Sequence, residues 1–178
     1  MRRATAPEQR PQLQGNLVTE SLVFSVALEA PEEVQVAGCQ WFRRPEFHVT
    51  TFNPDDLAAE TGIGAQKLAD IAEQLHDELT MVRPIRFDGC VSTVADPAGR
   101  QTLVAFCEVD GLEQIYARLS ALAGRALPRP PTHVTVYTAQ PGMDGIALST
   151  QADVDAKTVA LPAADAHNVL AGLRLSAT

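Results

Sequence analysis

The chain lacks any run approaching the roughly 20 consecutive apolar residues that a membrane-spanning helix needs. Its Arg-bearing start, MRRATAPEQRPQLQGN, has no apolar core of the kind a secretory signal carries. Both absences predict a cytoplasmic protein that neither crosses a membrane nor is secreted. Cysteine is scarce: Cys39, Cys90 and Cys107 are odd in number, widely spaced and without any CxxC, which speaks against a disulfide framework and a zinc site. Buried free thiols in a reducing compartment are the expectation. Basic residues are few, 14 Lys and Arg against 22 Asp and Glu, for a net charge of -8. That balance disfavours extended nucleic-acid binding, which relies on clustered cations. A small nucleotide or one RNA end needs only a local positive pocket. P-loop, GxGxxG, HExxH and GxSxG motifs are missing, and Asp144, Asp153 and Asp155 lack EF-hand spacing. No metal and no cofactor are therefore expected.

What is present fits one ordinary domain. With 178 residues, 46% hydrophobic and 20% charged, the chain can bury a core of its own, and it is expected to act as a monomer. Residues 1–16 are polar and aperiodic and predict a mobile leader, with order from Leu17 and a single domain over 17–178. Strands are predicted over Leu22–Leu28, largely buried, over Glu33–Val36, and over Glu46–Phe52, which the turn Asn53-Pro54-Asp55 closes. Leu68, Ile71, Ala72, Leu75 and Leu79 recur at helical spacing within Gln66–Leu79. A hairpin follows, Ile85–Val94 and Gln101–Val109 about the turn Asp96–Arg100. A second helix, capped by Asp110 and stopped by Gly124, turns Leu112, Ile115, Tyr116, Leu119 and Leu122 inward. Thr132–Thr138 is a β-branched strand, followed by short strands at Ile146–Ser149 and Lys157–Leu161 and a helix over Ala163–Leu173.

Two strands carry the same tripeptide, His48-Val49-Thr50 and His133-Val134-Thr135. In a chain with four histidines one His-x-Thr would be weak; two, both on strands and with the same middle residue, are informative. Alternation along a strand sends His48 and Thr50 to one face and Val49 to the other, and likewise His133 and Thr135 around Val134. If the strands lie side by side, two imidazoles and two hydroxyls converge. That set suits in-line displacement at phosphorus, one imidazole taking a proton from the attacking oxygen and the other giving one to the leaving oxygen. The hydroxyls can donate to the non-bridging oxygens. The same i+2 rule brings Tyr137 and Phe52 to these faces, where either can stack on a base, although core packing is the stronger alternative for Phe52. Arg43 and Arg44, read as loop residues before the first motif, can meet a phosphate or serve as surface solubilisers. His76 and His167 read as solvated surface residues.

FHVTTF and THVTVYT resemble the paired HxT/S strands of the two-histidine (2H) phosphoesterase superfamily, which includes 2′-5′ RNA ligase-like proteins and cyclic nucleotide phosphodiesterases. The resemblance spans about residues 17–161. It implies an α+β fold with two pseudo-symmetric lobes of antiparallel sheet and flanking helices around a central cleft. It also implies metal-independent chemistry on 2′,3′-cyclic nucleotides, RNA-end cyclic phosphates or short oligonucleotides, with His48, Thr50, His133 and Thr135 as the catalytic set. The chain differs from many relatives in the short stretch from 29 to 47 and in Thr138, where many bacterial members carry arginine. A nucleotide-binding module without turnover and a 2′-5′ RNA end ligase are the alternative readings.

Overall fold

The structure, a computed structural model, describes residues 21–81 and 83–176. The expected leader and the onset of order at Leu17 lie outside the described residues. In chain order the elements are β1 (Leu22–Ser25), β2 (Leu28–Glu29), β3 (Glu33–Val36), β4 (Cys39–Arg43), β5 (His48–Phe52), α1 (Pro54–Thr61), α2 (Ala65–Glu73) and α3 (His76–Leu79). There follow β6 (Ile85–Ala95), β7 (Gln101–Val109), α4 (Leu112–Ala123), β8 (His133–Thr138), α5 (Gln151–Lys157), β9 (Thr158–Ala160), α6 (Ala163–Ala171) and β10 (Arg174–Leu175). Among the described residues a six-stranded sheet runs β3-β4-β8-β7-β6-β9, with two-stranded sheets β1-β5 and β10-β2 beside it. Every pairing is antiparallel, so the class is α+β.

The β6–β7 hairpin is the spine of the large sheet. Its turn is tied by Asp96, whose carboxylate accepts from Arg100 N–H (2.9 Å) and Nε–H (2.7 Å). Leu103, Val104 and Ala105 on β7 are wholly buried. Leu103, Ala105 and Cys107 join the main core with α2 and α4, whereas Val104 and Phe106 join a smaller cluster with Val94, Ile146 and Leu148. Both faces of β7 are thus covered, which explains its unbroken apolar run. Leu112, Ile115, Tyr116 and Leu119 of α4 are buried as expected, but Leu122 is exposed. Gly124 ends α4 in the left-handed region (φ 72°), and Gly111, not Asp110, occupies the N-cap.

Several expectations give way to local geometry. The single buried strand over Leu22–Leu28 is two, because β1 pairs with β5 while β2 turns to β10, and Val23 is exposed opposite Thr50. Asn53-Pro54-Asp55 opens α1 instead of a turn: Asn53 Oδ1 accepts from the N–H groups of Asp55 (3.0 Å) and Asp56 (3.2 Å), with Pro54 in the first turn. The helix over Gln66–Leu79 breaks where Gln74 and Leu75 bond three residues back, to Ile71 and Ala72. The strand expected at Ile146–Ser149 is a loop whose alternating burial reflects packing of Ile146 and Leu148 on the sheet, without a ladder partner. Strand β4 and helix α5, the latter opened by a Thr150–Asp153 capping box, were not anticipated. Only Cys107 is buried, its thiol pushed up to about 12 by that burial, while Cys39 and Cys90 are exposed. His76 is half-buried with Nδ1 shut away from solvent, and His167 is exposed.

Leu119 is wholly buried and Leu122 is 45% exposed on the same helix. Leu119→Ala is expected to cost about 2–5 kcal/mol in urea denaturation, and Leu122→Ala about 0.5 kcal/mol or less. Equal losses would contradict the orientation of α4.

Candidate active site

Val49 and Val134 have no solvent exposure and belong to the main core. Their neighbours on the strands therefore face the other way. His48, Thr50, His133 and Thr135 all line one cavity of about 340 Å³. The two strands belong to different sheets, β5 pairing with β1 and β8 lying inside the six-stranded sheet, yet β5 packs against β8. On β8, Thr135 sits opposite Val104 and His133 opposite Phe106, whose ring centroid lies 6.2 Å from the imidazole.

Each strand bulges immediately after its threonine. On β5 the partners run Thr50↔Val23 and Phe52↔Leu22, so Thr51 is the extra residue; on β8 they run Thr135↔Val104 and Tyr137↔Leu103, so Val136 is. The alternation resets at these points. Phe52 (2% exposed) and Tyr137 (1%) accordingly turn into the core and do not line the cavity, contrary to the i+2 expectation. The β5 bulge is held by Tyr116, whose hydroxyl donates to Thr51 O at 2.9 Å in a buried setting. Burial pushes the Tyr116 phenol up from its ordinary range, so it stays a donor.

His133 is fixed from behind. Thr132, one residue earlier, accepts Cys107 N–H at its carbonyl (3.1 Å) and donates its hydroxyl to Cys107 O (2.5 Å). The His133 Nδ1 lies 2.9 Å from Pro131 O. A carbonyl can only accept, so Nδ1 carries the hydrogen and the neutral ring keeps its lone pair on Nε2. Burial holds the imidazolium below the usual histidine range; the Pro131 bond opposes this and nearby His48 adds to it. His48 itself is exposed. The pair is therefore chemically unequal although its two motifs are identical.

Arg43 does not reach the cavity. It lies on β4 opposite Tyr137 and donates to Ala30 O at 2.9 Å. Arg44, on the next residue and thus the other side, lines the cavity instead. Thr138 is buried, donating to Gln140 O at 2.8 Å. Sequence reasoning also missed α1, which brings Asn53, Asp56 and Glu60 to the cavity, and the loop from Asp144 to Ser149 that lines it too. The Asn-Pro-Asp signal, read as a turn, suits a helix start equally well; the loop's alternation of Ile146 and Leu148 reads as a strand. Gly145 passes so close to Thr135 that a Cβ there would lie 3.2 Å from its Oγ1. Among the described residues no three His, Cys, Asp or Glu side chains gather as a metal site, and no helix is long and apolar enough to cross a membrane. Compared with protein-family models, curated proteins and solved structures, the chain matches none.

Tyr116→Phe deletes the donor to a buried carbonyl at the β5 bulge. We expect a loss of about 1–3 kcal/mol in chemical denaturation. A loss well under 1 kcal/mol would mean that the bulge does not depend on this bond.

Proposed function

We propose that this chain is a two-histidine phosphoesterase: a metal-independent, cytoplasmic phosphodiesterase acting on 2′,3′-cyclic nucleotides, RNA-end cyclic phosphates or short oligonucleotides. The observation that carries the reading is that both His-x-Thr pairs, from separate sheets, line one cavity. The matching bulge behind each threonine supports reading the two sheets as pseudo-symmetric lobes about a central cleft.

In this reading His133 is the base. Its Nε2 lone pair takes a proton from a water that attacks phosphorus, and a P–O bond forms. His48, in its protonated form, gives a proton to the ribose oxygen whose bond to phosphorus breaks. Thr50 and Thr135 donate hydrogen bonds to the non-bridging oxygens, where charge accumulates in the five-coordinate state. The product is a nucleoside 2′- or 3′-monophosphate, and solvent exchange returns both imidazoles to their starting states. The assignment of roles rests on the burial of His133, which favours a neutral ring, and on the Pro131 bond, which places the hydrogen on Nδ1 and leaves Nε2 free.

The test is turnover of 2′,3′-cyclic nucleotides and of 2′-5′ and 3′-5′ linked dinucleotides in EDTA. His48→Ala and His133→Ala are each expected to lower kcat by about 10²–10⁴. Unchanged turnover in either variant, or loss of wild-type turnover in EDTA, would sink the mechanism; tight binding without product would favour the nucleotide-binding alternative. A base must be neutral and an acid protonated, so kcat/KM should rise with pH through the pKa of His133 and fall again at higher pH where His48 loses its proton. Because burial lowers that pKa, the midpoint is expected below 6.5. A midpoint above 6.5 would assign the base elsewhere.

A further inference from the structure

The charges around the cavity are unbalanced in a way that the four motif residues do not address. Three carboxylates, Asp56, Glu60 and Asp144, line it, and the imidazole His133 is held toward neutrality. Among the described residues Arg44 is the lining residue with a permanent positive charge. A phosphodiester entering this cavity meets net repulsion unless that guanidinium receives it.

Arg44 is not placed like a surface solubiliser. Its side chain is only 13% exposed, and its backbone N–H bonds to Val136 O at 2.9 Å, at the bulge residue of β8 directly after Thr135. Among the described residues the side chain donates from Nη1 alone, to Met143 O. The other guanidinium N–H groups remain for a ligand. Its one ionic partner among the described residues is Asp144, at 3.7 Å, beyond hydrogen-bond range, and 91% exposed. The loop that supplies Asp144 continues into Gly145, whose missing Cβ lets the backbone pass against Thr135 Oγ1. The pair Arg44–Asp144 thus stands beside the threonine proposed to hold the non-bridging oxygens.

We propose that Arg44 is the anion-binding residue of this cleft and that Asp144 competes with the substrate phosphate for it. The substrate's anionic oxygens replace a loosely held carboxylate, so the acidic loop sets how tightly anions bind. This rests on the reading of the cavity as a phosphoester site, but binding and turnover can be separated.

The experiment is calorimetric titration of the full chain with inorganic phosphate and with 2′-AMP, alongside turnover of 2′,3′-cyclic AMP. Arg44→Gln is expected to weaken binding of both probes about 10- to 100-fold and to raise KM more than it lowers kcat. Arg44→Lys, which keeps the charge and loses the planar fork, should fall between. Asp144→Asn, at a residue exposed enough to leave folding intact, should tighten binding about two- to fivefold by removing the competitor. If Arg44 served only to anchor the loop through Asp144, the sign would reverse and Asp144→Asn would weaken binding. Weaker binding there, binding by Arg44→Gln within about twofold of wild type, or no detectable binding of either probe by the wild type, would overturn the proposal. Arg44-dependent binding with no turnover would instead leave Arg44 in place and remove the phosphodiesterase reading.

Discussion

Val49 and Val134 are withdrawn from solvent altogether, and each is flanked on its strand by a histidine and a threonine. Exposing either valine would forfeit about 1.5–3 kcal/mol of burial, which is a strong penalty against any one-residue slip of register. That penalty is what commits the polar pairs to the cavity. It acts independently in two sheets with different partners, so convergence of the pairs does not rely on one continuous ladder. The packing of β5 on β8 then does the rest, and both strands share the main core that encloses the valines.

The bulges show how the same strands can serve two purposes. Before Thr51 and Val136 the strands present polar side chains to a cavity; after them Phe52 and Tyr137 turn into the core, and Thr138 is buried as well. Without the extra residue, alternation would continue and two large aromatic rings would fill the space that a ligand needs. The core gains those rings instead. Each bulge leaves backbone groups to satisfy, and on β5 the Tyr116 hydroxyl meets that need from α4. The carbonyl of Val136, on β8, is taken by Arg44 N–H. Residues that line the cavity are thus tied to the backbone features that shape it.

This explains which parts could be read from sequence. The β6–β7 hairpin, α4 and the two motif strands have strong periodic signals, and each lies within a residue or two of its expected bounds. Periodicity reports which side is buried, not what the backbone pairs with, so Ile146 and Leu148 looked like a strand while packing as a loop. Asn53-Pro54-Asp55 is ambiguous for a related reason: a side chain accepting the next N–H groups suits a turn and a helix start equally. Bulges leave no mark in a β-branched run, and they misplace every inference made by counting twos beyond them. That is why the convergence of His48, Thr50, His133 and Thr135 on one cavity was legible and the inward turn of Tyr137 was not, while Phe52 takes the core position that was already its stronger reading. Arg43 failed for a neighbouring reason, since strand β4 was unseen and the alternation that selects Arg44 went with it.

Electrostatics then breaks the symmetry that the repeated tripeptide suggests. Two imidazoles that share a cavity disfavour each other's charge, and a modest difference in environment decides which one yields. Here the environments differ: His133 is partly enclosed beside Phe106 with Nδ1 committed to Pro131 O, whereas His48 faces solvent. An identical motif placed inside the six-stranded sheet and in a two-stranded one therefore sits in two environments, and burial lowers the proton affinity of the enclosed imidazole, His133. Acid–base chemistry needs that inequality, because a base must be empty and an acid loaded at the same pH. The position of β8 inside the six-stranded sheet, between β4 and β7, is what sets the surroundings of one copy of His-Val-Thr apart from those of the other.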